Sequence, residues 1–260
     1  MDILTHTLSG VAAASVVANV SNGKLAHKIK LLVTGAFAGA LPDIDVITKW
    51  SGFDATFGKW FDLSISGNEA FGAKLWYSHH AFFHSLLASV IFGLLLGLIL
   101  YAAKSKFKIS RSSLLSAIPF VLAFVFGYNM HLLEDMVTPG GGWGGVAYLW
   151  PSKVYIGGFG DTWWWNNYDV FLIVSGVVFF NTALLLLGKL RLKRFGAVSI
   201  LIFVLGFTLG VVQVKNRDFN FNARGTAHKE ELSKEIQKEA LGENVFYLME
   251  KLDAIIPVAF

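Results

Sequence analysis

Apolar runs near 20 residues recur along this chain, and that one feature leaves it very few architectures. Six can be marked: Ile3–Val20, Leu31–Ile47, Phe83–Ala103, Leu114–Leu133, Tyr168–Gly188 and Phe195–Val214. About 20 residues of helix cross the hydrocarbon of a bilayer, where each backbone amide must be satisfied within its own segment. The third, fifth and sixth runs are the clearest. The first is rich in Ala, Ser and Val, a composition that suits close helix packing. Charged residues make up 15% of the chain, against about 25% in an ordinary soluble domain. The expectation is all-α: a polytopic membrane bundle of about six spans over residues 1–214, followed by a tail over 215–260. Met1-Asp2-Ile3 has no basic stretch before the first run, which reads as a retained helix rather than a cleaved signal.

The connections alternate sharply in charge. Lys24, Lys28 and Lys30 follow the first run, Lys104, Lys106, Lys108 and Arg111 the third, and Lys189, Arg191, Lys193 and Arg194 the fifth. None of these connections contains an acid, whereas 48–80 and 134–167 hold four Lys against six Asp and Glu. Positive residues favour the cytoplasmic side, so the basic connections are expected inside and both termini outside. This placement accounts for eleven of the 22 Lys and Arg, and the net charge of +4 needs no nucleic-acid partner.

Two further stretches stand apart. Residues 139–167 carry Gly140-Gly141-Gly142-Trp143-Gly144-Gly145, Trp150-Pro151 and Trp163-Trp164-Trp165. The three consecutive Trp suit an interfacial belt, with a lid or lipid-contacting rim as the alternative. From Thr226, apolar positions recur every three to five residues through Ile255, which predicts an amphipathic helical tail broken near Gly242.

Chemistry-bearing residues gather at the outer ends of the spans. His6 opens the first, Asp43 and Asp45 close the second, His79, His80 and His84 precede or open the third, and His131 and Asp135 end the fourth. His131 and Asp135 are four apart, which places them on one helix face, and His80 and His84 share that spacing. Each alone has a plain structural reading: a packed or snorkelling His, a capping Asp, an internal hydrogen bond. Together at one membrane face they point to bound metal, because ionisable groups at membrane depth are costly unless partnered. Having no cysteine, the chain must use His and carboxylate ligands, which suit zinc, manganese or iron. A set of this size can hold two or more ions with a bridging carboxylate. His27 and His228 read as structural, and Glu69, Glu134 and Asp161 as lesser candidates on the site side.

These motifs resemble the YdjM-like family, described as membrane-bound metal-dependent hydrolases and LexA-regulated in some bacteria. The resemblance rests on Thr5-His6-Thr7-Leu8-Ser9-Gly10, Leu41-Pro42-Asp43-Ile44-Asp45, the His79 to His84-Ser85 block, His131-Leu132-Leu133-Glu134-Asp135-Met136-Val137-Thr138-Pro139-Gly140, and Leu149-Trp150-Pro151. It covers about residues 1–155. The family block usually reads His-Arg-Gly-x-Thr-His-Ser, whereas His80, Ala81 and Phe83 stand here for the Arg, Gly and Thr. The family is in turn similar to the zinc-dependent phospholipase C and P1 nuclease group, which implies phosphoester cleavage by analogy.

The resulting expectation is a metal-dependent hydrolase of the bacterial or archaeal plasma membrane. It would act at the outer face on a phosphoester of a membrane lipid or lipid-linked substrate, with a divalent metal, zinc or manganese, as cofactor. His6, Asp45, His79, His84, His131 and Asp135 are the expected ligands. Asp43 is expected as a catalytic residue with ligand and orienting roles open, and His80 as the residue in place of the family Arg. The rival readings are a metal-ion or proton transporter and a non-catalytic adaptor with a structural metal. A transporter places ionisable groups near mid-membrane, whereas the cytoplasmic halves of these runs lack acids and His.

Overall fold

Asp2 opens the first helix by accepting a hydrogen bond from the Thr5 amide at 2.8 Å, which sets His6 in the first turn. In this computed structural model the described residues are 2–105, 110–137, 145–157, 167–187, 195–215 and 226–255, the backbone alone at 226–230 and 232. The elements in chain order are α1 (Ile3–Val20), α2 (Leu25–Ala40), α3 (Gly67–Gly72), α4 (Leu86–Ser105), α5 (Arg111–Met136), α6 (Tyr168–Leu187), α7 (Phe195–Lys215), α8 (Thr226–Leu241) and α9 (Glu243–Ile255). Five are long and apolar enough to cross a membrane: α1, α4, α5, α6 and α7. A sixth span forms if α2 is joined to the 3-10 helix Pro42–Lys49, which bends from it by 44°. The protein is a polytopic all-α membrane bundle.

Burial sorts the spans. In α1, 56% of the spanning window is buried, against 11% in α7, so α1 is the central helix and α7 a peripheral one. Central position explains the weak apolar signal of α1, since a helix enclosed by others needs small residues rather than bulky ones. Gly10, Gly35, Gly39 and Gly127 lie where α1, α2 and α5 touch. A Cβ on Gly10 would meet the Gly35 oxygen at 2.1 Å, and one on Gly39 would meet the His6 oxygen at 2.3 Å. Polar side chains also join the spans: Asn181 donates to Ser15 at 3.0 Å, Asn19 to Ser199 at 3.1 Å and Asn129 to Ser89 at 2.9 Å.

Several sequence-based boundaries shift. The second helix begins at Leu25, so Lys28 and Lys30 lie within it, and it breaks at Leu41 because Pro42 brings no amide hydrogen to continue the ladder. The fourth span extends to Arg111–Met136, which makes Glu134 and Asp135 helical. The third begins at Leu86, with Ser85 accepting from the Ala88 amide at 3.1 Å as its cap. His80 and His84 therefore do not share a helix face. His84 ends the short 3-10 helix Phe82–His84, and His80 sits in a turn at φ +64°.

The connection 50–80 exposes Trp50, Trp60, Phe61 and Trp76 on the side where α2 ends and α4 begins, which suits an interfacial position. Gly140 to Gly144 and Trp163 to Trp165 lie outside the described residues, as do the basic residues 106–108 and 189–194. The tail is helical and breaks at Gly242, φ +75°. It packs on the start of α6: Tyr168 meets Phe246 and Met249, and its amide donates to Gln237 at 2.8 Å.

Candidate metal centre

The close approach of α1, α2 and α5 brings His6 at the start of one helix beside His131 and Asp135 at the end of another. Their antiparallel course makes this possible, and the glycines between them make it tight. The 3-10 helix after α2 adds Asp43 and Asp45. The turn before α4 adds His79, His80 and His84. Tyr148 and Ala147 hold that turn in place, the Tyr148 oxygen accepting from the Leu86 amide at 3.0 Å and the Ala147 amide donating to the His80 oxygen at 2.8 Å. All eight sequence-predicted residues are in one cluster, and His6, Asp45, His84, His131 and Asp135 are at most 3% exposed.

The histidines share an orientation. His131 Nδ1 lies 2.7 Å from the Gly39 carbonyl oxygen, and His80 Nδ1 lies 3.1 Å from that of Gly145. A carbonyl oxygen only accepts, so in both rings Nδ1 donates and Nε2 carries the lone pair. His6 Nδ1 meets Glu134 Oε2 at 2.7 Å, His79 Nδ1 meets Asp45 Oδ1 at 2.6 Å, and His84 Nδ1 meets Asp45 Oδ2 at 3.0 Å. The His84 contact is close without being a hydrogen bond, but for the other four rings the outer partner leaves Nε2 pointing inward, the usual support of metal-binding His.

Inward, the Nε2 atoms meet two carboxylates. Asp135 Oδ2 lies 3.3 Å from His84 Nε2, 3.0 Å from His131 Nε2 and 3.8 Å from His80 Nε2, while Oδ1 lies 3.3 Å from His6 Nε2. Asp43 Oδ1 lies 3.6 Å from both His84 and His131 Nε2, which are 3.2 Å apart. Donors at about 2.0–2.1 Å around a tetrahedral ion stand about 3.3–3.4 Å from one another. Asp43, His84, His131 and Asp135 are spaced as such a set, and His79, His80 and His84 form a second group able to hold an ion. His84 belongs to both, and the two Asp135 oxygens face different histidines.

Charge argues the same way. Asp45 and Asp135 are buried and Asp43 half-buried around neutral-capable rings, an arrangement in which a cation would offset their loss of hydration. Burial pushes the His80 imidazole well below the usual histidine range, reinforced by His79 and His84, so it is neutral near pH 7. Burial alone would lower His84 as well, but Asp45, Asp135 and Asp43 beside it hold it well above that range. Those carboxylates thus draw a positive charge to the position of the His84 ring.

Some supporting residues were weakly marked or unmarked in the sequence. Glu134, a lesser candidate by sequence, is one of them. It holds His6 through one oxygen and accepts from the Ser9 hydroxyl through the other. Ser9 follows His6 by three residues, a helical spacing that was available as a signal. The Gly39 and Gly145 carbonyls carry no side-chain signal at all. Glu69 instead closes a capping box with Ser66, His27 packs edge-on against Phe120, and Asp161 lies outside the described residues. His228 is on α8, at a position where only the backbone is described.

Fold and centre together define a multi-pass α-helical membrane protein with a buried His and carboxylate cluster where its helix ends meet. The chain belongs to the YdjM inner membrane protein family, whose model matches residues 1–218. The match runs beyond the motifs, which end near residue 155, to take in α6 and α7, and stops ahead of α8. No curated protein and no solved structure gives a match. The protein is accordingly a multi-pass protein of the plasma membrane.

Proposed function

We propose that this protein is a metal-dependent hydrolase acting on a phosphoester of a membrane lipid or lipid-linked substrate at the extracytoplasmic face. The observation that carries the metal is the set of 3.0–3.6 Å separations among Asp43, His84, His131 and Asp135. Zinc or manganese suits these donors, and Asp43, His84, His131 and Asp135 are the residues that would hold an ion. A metal bound here supplies an activated water and stabilises charge on phosphoryl oxygens.

The chain's own residues divide the remaining work. Asp43 stands with the inward donors, and Asp45 spans the Nδ1 atoms of His79 and His84. This favours Asp43 as a ligand, one of the roles the sequence leaves open for it, and Asp45, expected there as a ligand, as the carboxylate that orients His79 and lies beside His84. His6 joins through Asp135 Oδ1 and is held by Glu134. His80 is neutral, with the Nε2 lone pair toward the cluster, and suits accepting a proton from an attacking water. Its left-handed backbone is a conformation that a non-glycine residue holds only when its surroundings impose it.

Transport is less well supported. The described ionisable residues collect where helices end, and the buried contact of Asn181 with Ser15 deeper in the bundle does not titrate. The test is purified protein in lipid nanodiscs, chelated and then reloaded with zinc or manganese, against phospholipids, lipid phosphates and lipid-linked glycans. Metal-dependent release of product supports the reading. Metal flux across a sealed bilayer with no product from metal-loaded protein overturns it.

A further inference from the structure

A cavity of about 340 Å³ lies between α1, α5, α6 and α7, beside the metal centre and separate from it. Its upper end is marked by Ser9, Glu134 and Lys215, and its lower wall by Ala12, Val177 and Phe203. Glu134 contacts His6, so the upper end is one hydrogen bond from the cluster. Leu133, Phe207 and Val211 line the rim and are each at least 40% exposed, which opens the cavity sideways toward lipid. Along α7, Phe203 to Lys215 spans roughly 18 Å of helix rise. The hydrocarbon of one leaflet is about 15 Å thick.

We propose that this groove seats one acyl chain of an anionic phospholipid drawn from the leaflet on the side of the metal centre. Depth and apolar walls match a single chain, and about 340 Å³ falls within the size range of small-ligand sites. Among the described lining residues Lys215 is the only cation, and it stands at the level where a headgroup begins. Both oxygens of Glu134, the lining acid, are engaged by His6 and Ser9. Chain binding rests on the groove alone. That the bound lipid is the substrate rests on the hydrolase reading above, and it would make the substrate a phospholipid held by its tail with its phosphate at the cluster.

Two glycines give a matched test. Gly210 lines the groove and Gly176 does not, and a Cβ on either meets no atom within 4 Å. Leucine therefore fits at both positions, but only at 210 does it take up groove space. The probe is a phosphatidylglycerol with a diazirine in one acyl chain, in nanodiscs with the full-length protein, with adducts located by peptide mass spectrometry. Adducts are expected on Val174, Val177 and Phe203 in the wild type and in Gly176→Leu. In Gly210→Leu their yield should fall by roughly tenfold, the effect of a ligand competing with an overpacked wall. Lys215→Gln should reduce the preference over phosphatidylcholine by about fivefold, the contribution of one interfacial charge. Metal content measured on the same samples separates the two readings, since a failed centre leaves the adducts in place. Adducts spread evenly over the lipid-facing helices, or unchanged by Gly210→Leu, would overturn the proposal.

Discussion

His131 Nδ1 donates to the Gly39 carbonyl oxygen across 2.7 Å, tying the orientation of a predicted metal ligand to the closest packing in the bundle. The carbonyl is within reach only because α2 lies against α1 and α5 with nothing larger than hydrogen at Gly39, Gly35, Gly10 and Gly127. Ligand geometry and helix packing are therefore one property of this protein.

Gly39→Ala tests that coupling. The new Cβ would meet the His6 backbone oxygen at 2.3 Å, forcing α1 and α2 apart. Overpacking of this kind costs about 1–3 kcal/mol. Lower thermal stability is expected together with reduced metal content, because His6 and His131 both move. Full metal binding at unchanged stability would break the link between packing and site.

Ligands and their supports should differ in degree. Asp135→Ala removes the carboxylate on which four Nε2 atoms converge, and bound metal should be lost. Asp45→Asn and Glu134→Gln leave the inward donors in place and should weaken affinity by about 10–100-fold, as loss of an outer hydrogen-bond partner commonly does. His27→Ala, beside Phe120, should change nothing. Metal analysis after chelation and reloading measures all four. Equal stoichiometry and affinity in Asp135→Ala and wild type would remove Asp135 from the site.

Acid should release the metal. The inward Nε2 atoms must be unprotonated to bind a cation, so protons and metal compete for them. The carboxylates around His84 favour its protonated form, which makes that competition stronger as pH falls. Metal affinity, followed by titration between pH 8 and 5, is expected to drop steadily through that range, which brackets the ordinary histidine value of about 6.5. A flat profile would show that histidines do not supply the donors.

Sidedness can be read by labelling, since the chain has no native cysteine. Lys104 follows the apolar part of α4 and should face the cytoplasm, while Ser152 lies on the site side and should face outward. Both positions are exposed. An impermeant thiol reagent on intact cells should label Ser152→Cys and spare Lys104→Cys. The opposite pattern would place the centre at the cytoplasmic face.

That this chain spans a membrane, and that its His and Asp residues collect where the spans end, is legible in residue order alone. Both follow from local physics: apolar length sets a helix across hydrocarbon, and ionisable groups are driven to its ends. The i, i+4 pair His131 and Asp135 was legible for the same reason, since it lies within one continuous helix. The pair His80 and His84 looked identical in spacing and is not helical, because Ser85 caps α4 and the chain before it is held by Ala147 and Tyr148, some 60 residues away. Which carboxylate faces inward depends on contacts between distant segments. Asp43 and Asp45 differ by two residues on one 3-10 helix, and only contact with rings from other elements separates their roles. The Gly39 and Gly145 carbonyls and the groove beside Glu134 arise from distant segments meeting, and packing across sequence distance leaves no mark on residue order.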